Sequence, residues 1–220
     1  MRNIFLGVLM STTLAFTSSG DAQSAASVEE VVSPGGIHAY LLHEPAVPML
    51  AMSFLFTGGA QYETAEQAGL ARMTAALLDE GAGDMDSQAF RTALEDNSIR
   101  LSFDADRDQL TGELRTLTAN RELAFDLLRQ ALGEPRFDAE PIERIRAQLQ
   151  AGLKRRLNDP NVMARRSWFA HAFADHSYGH PAEGRVETVA ELGRDDLVAF
   201  KEAQLARDKL HIGVAGDITA

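Results

Sequence analysis

Residues 99–117, IRLSFDADRDQLTGELRTL, contain the pattern that decides the fold class. Apolar and polar residues alternate over Ile99–Phe103, which predicts a strand with one buried face. Asp104–Asp108 is rich in aspartate and predicts a turn, and Gln109–Leu117 predicts the returning strand. An antiparallel hairpin is therefore expected near the middle of the chain.

Two strands and two helices are predicted before this hairpin. Ile37–Leu42 is predicted as a strand, and Pro48–Phe56 is apolar on both faces, which is typical of a central strand. Thr64 and Gln67 form a Thr-x-x-Gln capping box ahead of an apolar-periodic helix. A second helix is expected at Ser87–Asp96.

The region after the hairpin is mostly helical. Its longest helix has apolar residues at steps of three and four, which turns one face to the core. These are Ile142, Ile145, Leu149, Leu153 and Leu157. Asp159-Pro160 ends that helix. Shorter helices near 162–173, 188–192 and 195–205 lead to a last strand at Lys209–Ala215. The predicted N-cap residues are Asp86, Asn120 and Asp138.

Hairpin strands mixed with helices predict an α+β fold, with a mostly antiparallel sheet and helices packed on one face. Asp217 and Thr219 follow the last strand and are suited to cap another helix. We therefore expect the domain at residues 27–220 to continue into a second half.

Composition excludes several classes of function. The chain has 220 residues, a net charge of −11 and 45% apolar residues, as expected for a globular protein. The excess of acid argues against nucleic-acid binding, because phosphates are repelled. The absence of cysteine excludes disulfides, thiolate-bound zinc, Fe–S clusters and a thiol nucleophile.

Residues 1–26 have the pattern of a secretory signal peptide. Arg2 precedes the apolar run Ile4–Phe16, and small residues offer cleavage after Ala22 or Ala26. The run is shorter than the roughly 18 to 20 residues that span a bilayer, which disfavours a membrane anchor. A buried N-terminal helix is the other alternative. The prediction is a periplasmic protein with no membrane span after signal removal.

Charge is distributed unevenly. Residues 79–113 contain ten acidic residues and three arginines, whereas residues 141–170 contain seven basic and two acidic residues. Two solvated helix faces are the simpler interpretation, and a dipolar surface that orients a partner is the alternative.

Histidine supplies one candidate metal cluster. His171, His176 and His180 lie close together, but Gly179 and Pro181 predict a loop there rather than a helix that would align them. Packing histidines are therefore favoured over a metal site.

Several segments occur in the order of a known family. They are Gly58–Glu63 (GGAQYE), Gly69–Ala71 (GLA), Leu77–Gly83 (LLDEGAG), Pro135 with Phe137, Asp159-Pro160, Ala172-Phe173, His176–Gly179 and Val214–Ile218. Together they resemble the N-terminal half of the insulinase/pitrilysin-type zinc peptidases, peptidase family M16. The resemblance covers nearly all of residues 30–220.

Active members of that family carry an inverted zinc motif, H-x-x-E-H. Two histidines one turn apart bind zinc, and the glutamate activates the metal-bound water. Here the motif positions are Arg72, Ala75 and Ala76. The third ligand, a glutamate about 75 residues further on, would fall at Gly152 or near Ala151. The resemblance therefore implies no catalytic residues, no zinc and no other cofactor in this chain.

The resemblance implies the non-catalytic half of a periplasmic metallopeptidase. Inactive members pair with an active one, so the implied partner is a sister subunit or domain that carries H-x-x-E-H and the zinc, and the implied substrate is a peptide to be degraded or processed. The family's substrate-binding Arg/Tyr pair belongs to its C-terminal half and cannot be placed here. The alternative is a structural subunit like the core subunits of the respiratory complex. A third hypothesis, an active peptidase with zinc on His171, His176 and His180, requires the metal geometry to be rebuilt.

Overall fold

A computed structural model describes residues 27–220, so the predicted signal peptide lies outside the described residues. Six strands form one sheet in the order β1-β2-β6-β3-β5-β4. The strands are β1 (Val28–Val32), β2 (His38–His43), β3 (Met49–Thr57), β4 (Arg100–Ala105), β5 (Gln109–Leu117) and β6 (Leu210–Gly216). The β2–β6 pair is parallel and the other neighbours are antiparallel. The predicted α+β class with a mostly antiparallel sheet is confirmed.

Seven α-helices accompany the sheet within the described part of the chain. They are α1 (Leu70–Ala75), α2 (Ser87–Asp96), α3 (Arg121–Gly133), α4 (Ala139–Arg156), α5 (Pro160–Ala172), α6 (Val186–Glu191) and α7 (Arg194–Gln204). Their buried residues join one hydrophobic core with the inward residues of the sheet. Each helix predicted from periodicity exists, and its ends differ from the prediction by a few residues.

The predicted hairpin is β4–β5. Phe103 of β4 and Phe54 of β3 both lie opposite Gly112, and the two rings meet edge to face with 6.1 Å between centroids. A Cβ atom on Gly112 would lie 2.1 Å from the Phe54 ring, closer than any real contact. Glycine at this position therefore allows the aromatic pair to enter the core.

The prediction that Pro48–Phe56 is a central strand is confirmed, although only one of its two faces is buried. The strand lies inside the sheet, between β5 and β6, but its residues alternate in burial. Leu50 and Phe54 are buried against the helices, whereas Met49 and Ser53 lie on the opposite face and are exposed. The apolar residues on that second face therefore cover nothing within residues 27–220.

Asn120 and Asp138 occupy the predicted N-cap positions of α3 and α4, but without the expected capping hydrogen bonds. Asn120 donates its side-chain N–H to the carbonyl of Asn97 at 2.7 Å, and Asp138 pairs with Arg136 at 2.6 Å, so neither side chain caps its helix. The prediction for Asp86 is confirmed, because its carboxylate accepts the N–H of Ala89, in the first turn of α2, at 2.8 Å. Competing partners elsewhere in the chain decide between these outcomes.

The predicted Thr-x-x-Gln capping box does not begin α1. The helix starts after Gly69, which has φ of 101°, and the buried carboxylate of Glu63 takes over the capping. Glu63 accepts the N–H of Gly69 at 2.9 Å and that of Ala71 at 2.5 Å. Burial raises the pKa of Glu63 to about 7, although these hydrogen bonds act to lower it.

The apolar stripe of α4 is buried along most of its length. Ile142, Ile145 and Leu153 are buried, but Leu157 at the end of the helix is half exposed. The helix ends at Arg156, and Asp159 caps the following helix, α5, through the N–H of Asn161 at 2.9 Å. The core therefore opens at this end of α4. No helix among residues 27–220 is both long and apolar enough to cross a membrane.

Candidate functional site

The four positions that the resemblance assigns to the zinc motif lie where α1 packs against α4. Arg72 and Gly152 line the same cavity, which has a volume of about 320 Å³. Ala75 is buried, and Ala76, at the end of α1, is half-buried. Arg72 is the one polar side chain among these four positions, and its charge is positive.

A second cavity of about 230 Å³ shares Leu153 and Glu183 with the first. We call the two cavities together the arginine pocket, because seven arginines and three carboxylates line them. The arginines are Arg72, Arg107, Arg155, Arg156, Arg165, Arg166 and Arg185. The carboxylates are Asp159, Glu183 and Glu187. A chain with a net charge of −11 thus concentrates positive charge around the positions that the resemblance assigns to the zinc site.

Glu183 is the acid at the centre of the arginine pocket. Its carboxylate lies 3.9 Å from Arg156 and 3.7 Å from both Arg165 and Arg166. These distances allow attraction but exceed those of hydrogen bonds. One carboxylate therefore balances part of the charge and leaves the guanidinium N–H groups available.

Arg166 has an unusual environment in this pocket. Its Nε and Nη2 atoms are buried and have no hydrogen-bond partner among the described residues. A buried donor without a partner is costly, because it has lost water and gained nothing. Two donor atoms of Arg166 are therefore free to bind a water or a ligand that enters the pocket.

Arg107 connects the hairpin turn to the wall of the arginine pocket. Its guanidinium donates to the carbonyls of Tyr178 and His180 at 2.8 and 3.0 Å and lies 4.0 Å from the centre of the Phe169 ring. These contacts hold the 176–180 loop against the turn of the hairpin. Sequence reasoning missed this residue, because nothing around Arg107 indicates so distant a partner.

The three clustered histidines are not brought together as ligands. His171 contacts the carbonyl of Ser167 at 2.7 Å, and His176 accepts the N–H of Tyr178 at 3.1 Å. His180 lines the arginine pocket. No group of three metal-binding side chains occurs within residues 27–220.

A second polar cluster, around Glu80, lies further along the same two segments. Arg144 on α4 holds the Glu80 carboxylate with two hydrogen bonds, at 3.1 and 2.6 Å. Ser87 and Arg91 add further donors at 2.5 and 3.1 Å. Burial alone would raise the pKa of Glu80, but these hydrogen bonds outweigh it, so the pKa lies below its usual range. The cluster joins the segment after α1 to α2 and α4.

Asp79, next to this cluster, is affected in the opposite direction. Burial raises its pKa from 3.8 to about 6, against a hydrogen bond from its own backbone N–H, and the charge of Glu80 raises it further. Asp79 therefore carries a carboxylate that the fold tolerates better when it is protonated.

The fold defines a peptidase-type α+β domain, and Arg72 stands at the position that the resemblance assigns to the first zinc ligand. The sequence profile of the family described as "Insulinase (Peptidase family M16)" matches residues 40–184. The chain belongs to this family, as the resemblance predicted.

Relatives and solved structures agree with this membership. The chain is 24% identical over 196 residues to a "Non-peptidase homolog YmxG" of Helicobacter pylori, covering 89% of this chain and 45% of the relative. It is 27% identical over 210 residues to an uncharacterized zinc protease of Mycobacterium leprae, covering 90% and 44%. A crystal structure described as a peptidase M16 inactive domain from Pseudomonas fluorescens superposes with a TM-score of 0.82 at 25% identity, covering 88% and 47%. The chain thus spans slightly less than half the length of these relatives.

Proposed function

We propose that this protein is the zinc-less, non-catalytic part of a two-part metallopeptidase. A sister subunit or domain that carries H-x-x-E-H supplies the zinc, and the pair degrades or processes peptides. The proposal includes export across the inner membrane to the periplasm, with residues 1–26 as the signal peptide.

The observation that carries this proposal is the position of Arg72 opposite Gly152. Three protein ligands and an open coordination position make a catalytic zinc site. At these positions the chain offers a guanidinium, which is always protonated, and three residues without donor atoms. The names of the Helicobacter and Pseudomonas relatives, a non-peptidase homologue and an inactive domain, support the same conclusion.

The open face of the sheet is the surface that we assign to the second half or sister. Tyr40, Ser53, Leu55 and Gly213 lie on this side of adjacent strands, and Tyr40 is 55% exposed. Small residues flanked by larger apolar ones let another element approach closely. Covering this face would bury the apolar residues that the helices leave exposed.

The test combines the protein with a candidate sister that carries H-x-x-E-H. We expect co-purification, one complex in size measurements, and faster peptide cleavage than by the sister alone. Ser53→Arg should weaken the complex, whereas Glu122→Arg, on the exposed surface of α3, should leave it intact. Failure to associate contradicts the proposal, and association without any cleavage supports the structural-subunit alternative.

Export is tested by N-terminal sequencing of the periplasmic fraction. The expected first residue is Gln23 or Ser27, because small residues precede both positions. Protein that begins at Met1 and stays in the cytoplasm would contradict this part of the proposal.

A further inference from the structure

The arginine pocket contains more positive charge than its own carboxylates balance. Seven arginines and three acids line the pocket, and two of those acids form no ion pair with these arginines in the described range. Asp159 is engaged by the backbone N–H groups of Asn161 and Val162 at the start of α5. Glu187 is exposed on α6. Glu183 alone remains between the two cavities.

The guanidinium groups also have unused hydrogen-bonding capacity. Arg107 is the one pocket arginine whose side chain donates hydrogen bonds to other residues in the described range. The other six donate none there: Arg72, Arg155, Arg156, Arg165, Arg166 and Arg185. For Arg166 two donor atoms are buried as well. Buried or clustered donors of this kind are typical of a site that takes an anionic group from outside.

The walls of the pocket indicate the kind of anion. Leu153, Leu157, Phe169 and Val186 line the cavities between the arginines. A planar guanidinium matches a carboxylate through two parallel hydrogen bonds, and apolar walls suit the methylene groups that carry the carboxylate. A compact inorganic anion would leave these walls uncovered.

We propose that the arginine pocket binds peptides through a carboxylate, either an acidic side chain or the C-terminal carboxylate. The former metal position has thereby become a recognition site for negatively charged peptide. The proposal rests on the proposed function for the peptide nature of the ligand, and on the geometry of the pocket for its charge. Two adjoining cavities on either side of Glu183 allow an extended segment to place carboxylates in both.

The experiment measures the binding of a fluorescently labelled Ala-Glu-Glu-Ala peptide to the purified full protein. We expect at least about tenfold tighter binding than for the Ala-Gln-Gln-Ala peptide, and weaker binding as salt increases. Arg72→Gln combined with Arg165→Gln removes one arginine from each cavity and should weaken binding about tenfold or more. Arg121→Gln, an exposed arginine outside the pocket, is the matched control and should change nothing.

Further arms identify the source of the carboxylate. Loss of binding after C-terminal amidation assigns the pocket to the terminal carboxylate, and loss only with the glutamine peptide assigns it to acidic side chains. Equal binding of the acidic and glutamine peptides that also persists after C-terminal amidation, or no effect of the double variant, overturns the proposal. Inorganic phosphate that binds as tightly as the acidic peptide overturns the assignment to peptide.

Failure of this proposal and failure of the proposed function are distinguishable. The double variant should still co-purify with the sister, because its two substitutions lie away from the open face of the sheet. Selective peptide binding without association with the sister would support the proposal for the arginine pocket and contradict the two-part peptidase. Association with the sister but unselective peptide binding would support the two-part peptidase and contradict the proposal for the pocket.

Discussion

The two ends of the contact between the α1 segment and α4 differ in how their charges are used. At one end Glu80 and Arg144 are joined by two hydrogen bonds and are supported by Ser87. At the other end, where Arg72 and Gly152 line one cavity, the guanidinium groups of Arg156, Arg165 and Arg166 stand 3.7 Å or more from Glu183. The ends are about 12 Å apart along α4, at a rise of 1.5 Å per residue.

The charges at the two ends therefore have different roles. Those around Glu80 stabilise the fold, and those around Arg72 are available to bind a ligand. Satisfied charges hold the segment after α1 in place, and their removal leaves a partner buried and unpaired. Unsatisfied charges contribute little to stability and remain available for a ligand. The predictions that follow test this division.

The largest expected effect is the conversion of the end around Arg72 and Gly152 into a metal site. Arg72→His, Ala76→His and Gly152→Glu together restore three ligands, while the buried Ala75 is left unchanged. A Cβ atom at Gly152 meets nothing closer than 3.8 Å, so the glutamate has room. We expect about one zinc per chain after dialysis for the triple variant and none for the wild type, by elemental analysis. A folded triple variant without zinc would show that the register between α1 and α4 is wrong, and zinc in the wild type would overturn the reading of the motif.

A single substitution at the end around Glu80 and Arg144 should cause the largest loss of protein stability. Glu80→Gln leaves Arg144 without its charged partner and should lower the free energy of unfolding by about 3 kcal/mol. Denaturant titration measures the loss. Glu140→Gln is the matched control, because Glu140 also pairs with Arg144 but is 74% exposed, so the expected change is below about 0.5 kcal/mol. Equal losses of stability for the two substitutions would contradict the structural role assigned to Glu80.

The pH dependence of stability should reveal Asp79. Because its pKa rises from 3.8 in the unfolded chain to about 6 in the fold, its contribution is fully present below pH 3.8 and is lost as the pH rises through 6. The stability of the wild type relative to Asp79→Asn should therefore fall by about 2 kcal/mol between pH 4 and pH 7. Unfolding curves of both proteins at several pH values measure this difference. A constant difference would mean that Asp79 is solvated.

The smallest effect on stability is expected for a substitution at the end around Arg72 and Gly152. Arg156→Gln removes a half-exposed side chain that makes no hydrogen bond to its nearest acid, Glu183. The free energy of unfolding should change by less than about 0.5 kcal/mol, and relief of repulsion between arginines favours a small gain. Thermal and denaturant unfolding of the variant check this. A loss comparable to that of Glu80→Gln would show that both ends are structural.

Local patterns predicted much of the fold, and long-range partners decided the rest. Residues 99–117 include both strands of the hairpin and the turn between them, so β4 and β5 could be predicted from this segment alone. β1 could not, since VEEVV is a polar edge strand that exists only by pairing with β2. Asn120 and Asp138 failed as caps because other residues compete for their side chains.

The candidate site was predictable only in part. The resemblance placed Arg72 opposite Gly152, and both line one cavity. The basic segment was interpreted first as a solvated helix face, whereas Arg156, Arg165 and Arg166 turn to a shared pocket. Their common neighbour is Glu183, and a residue so far along the chain leaves no local signal.

The position of β6 has a consequence for how the chain acquires its structure during synthesis. This strand is the last of the described elements, yet it lies between β2 and β3 and pairs with both. Before Leu210 has left the ribosome, β1 and β2 have no route into the sheet formed by β3, β5 and β4. Pairing between such distant segments is slow, because the loop-closure entropy is lost before the contacts form. A nascent chain therefore stays in two separate sheet fragments until nearly all of these residues have been made.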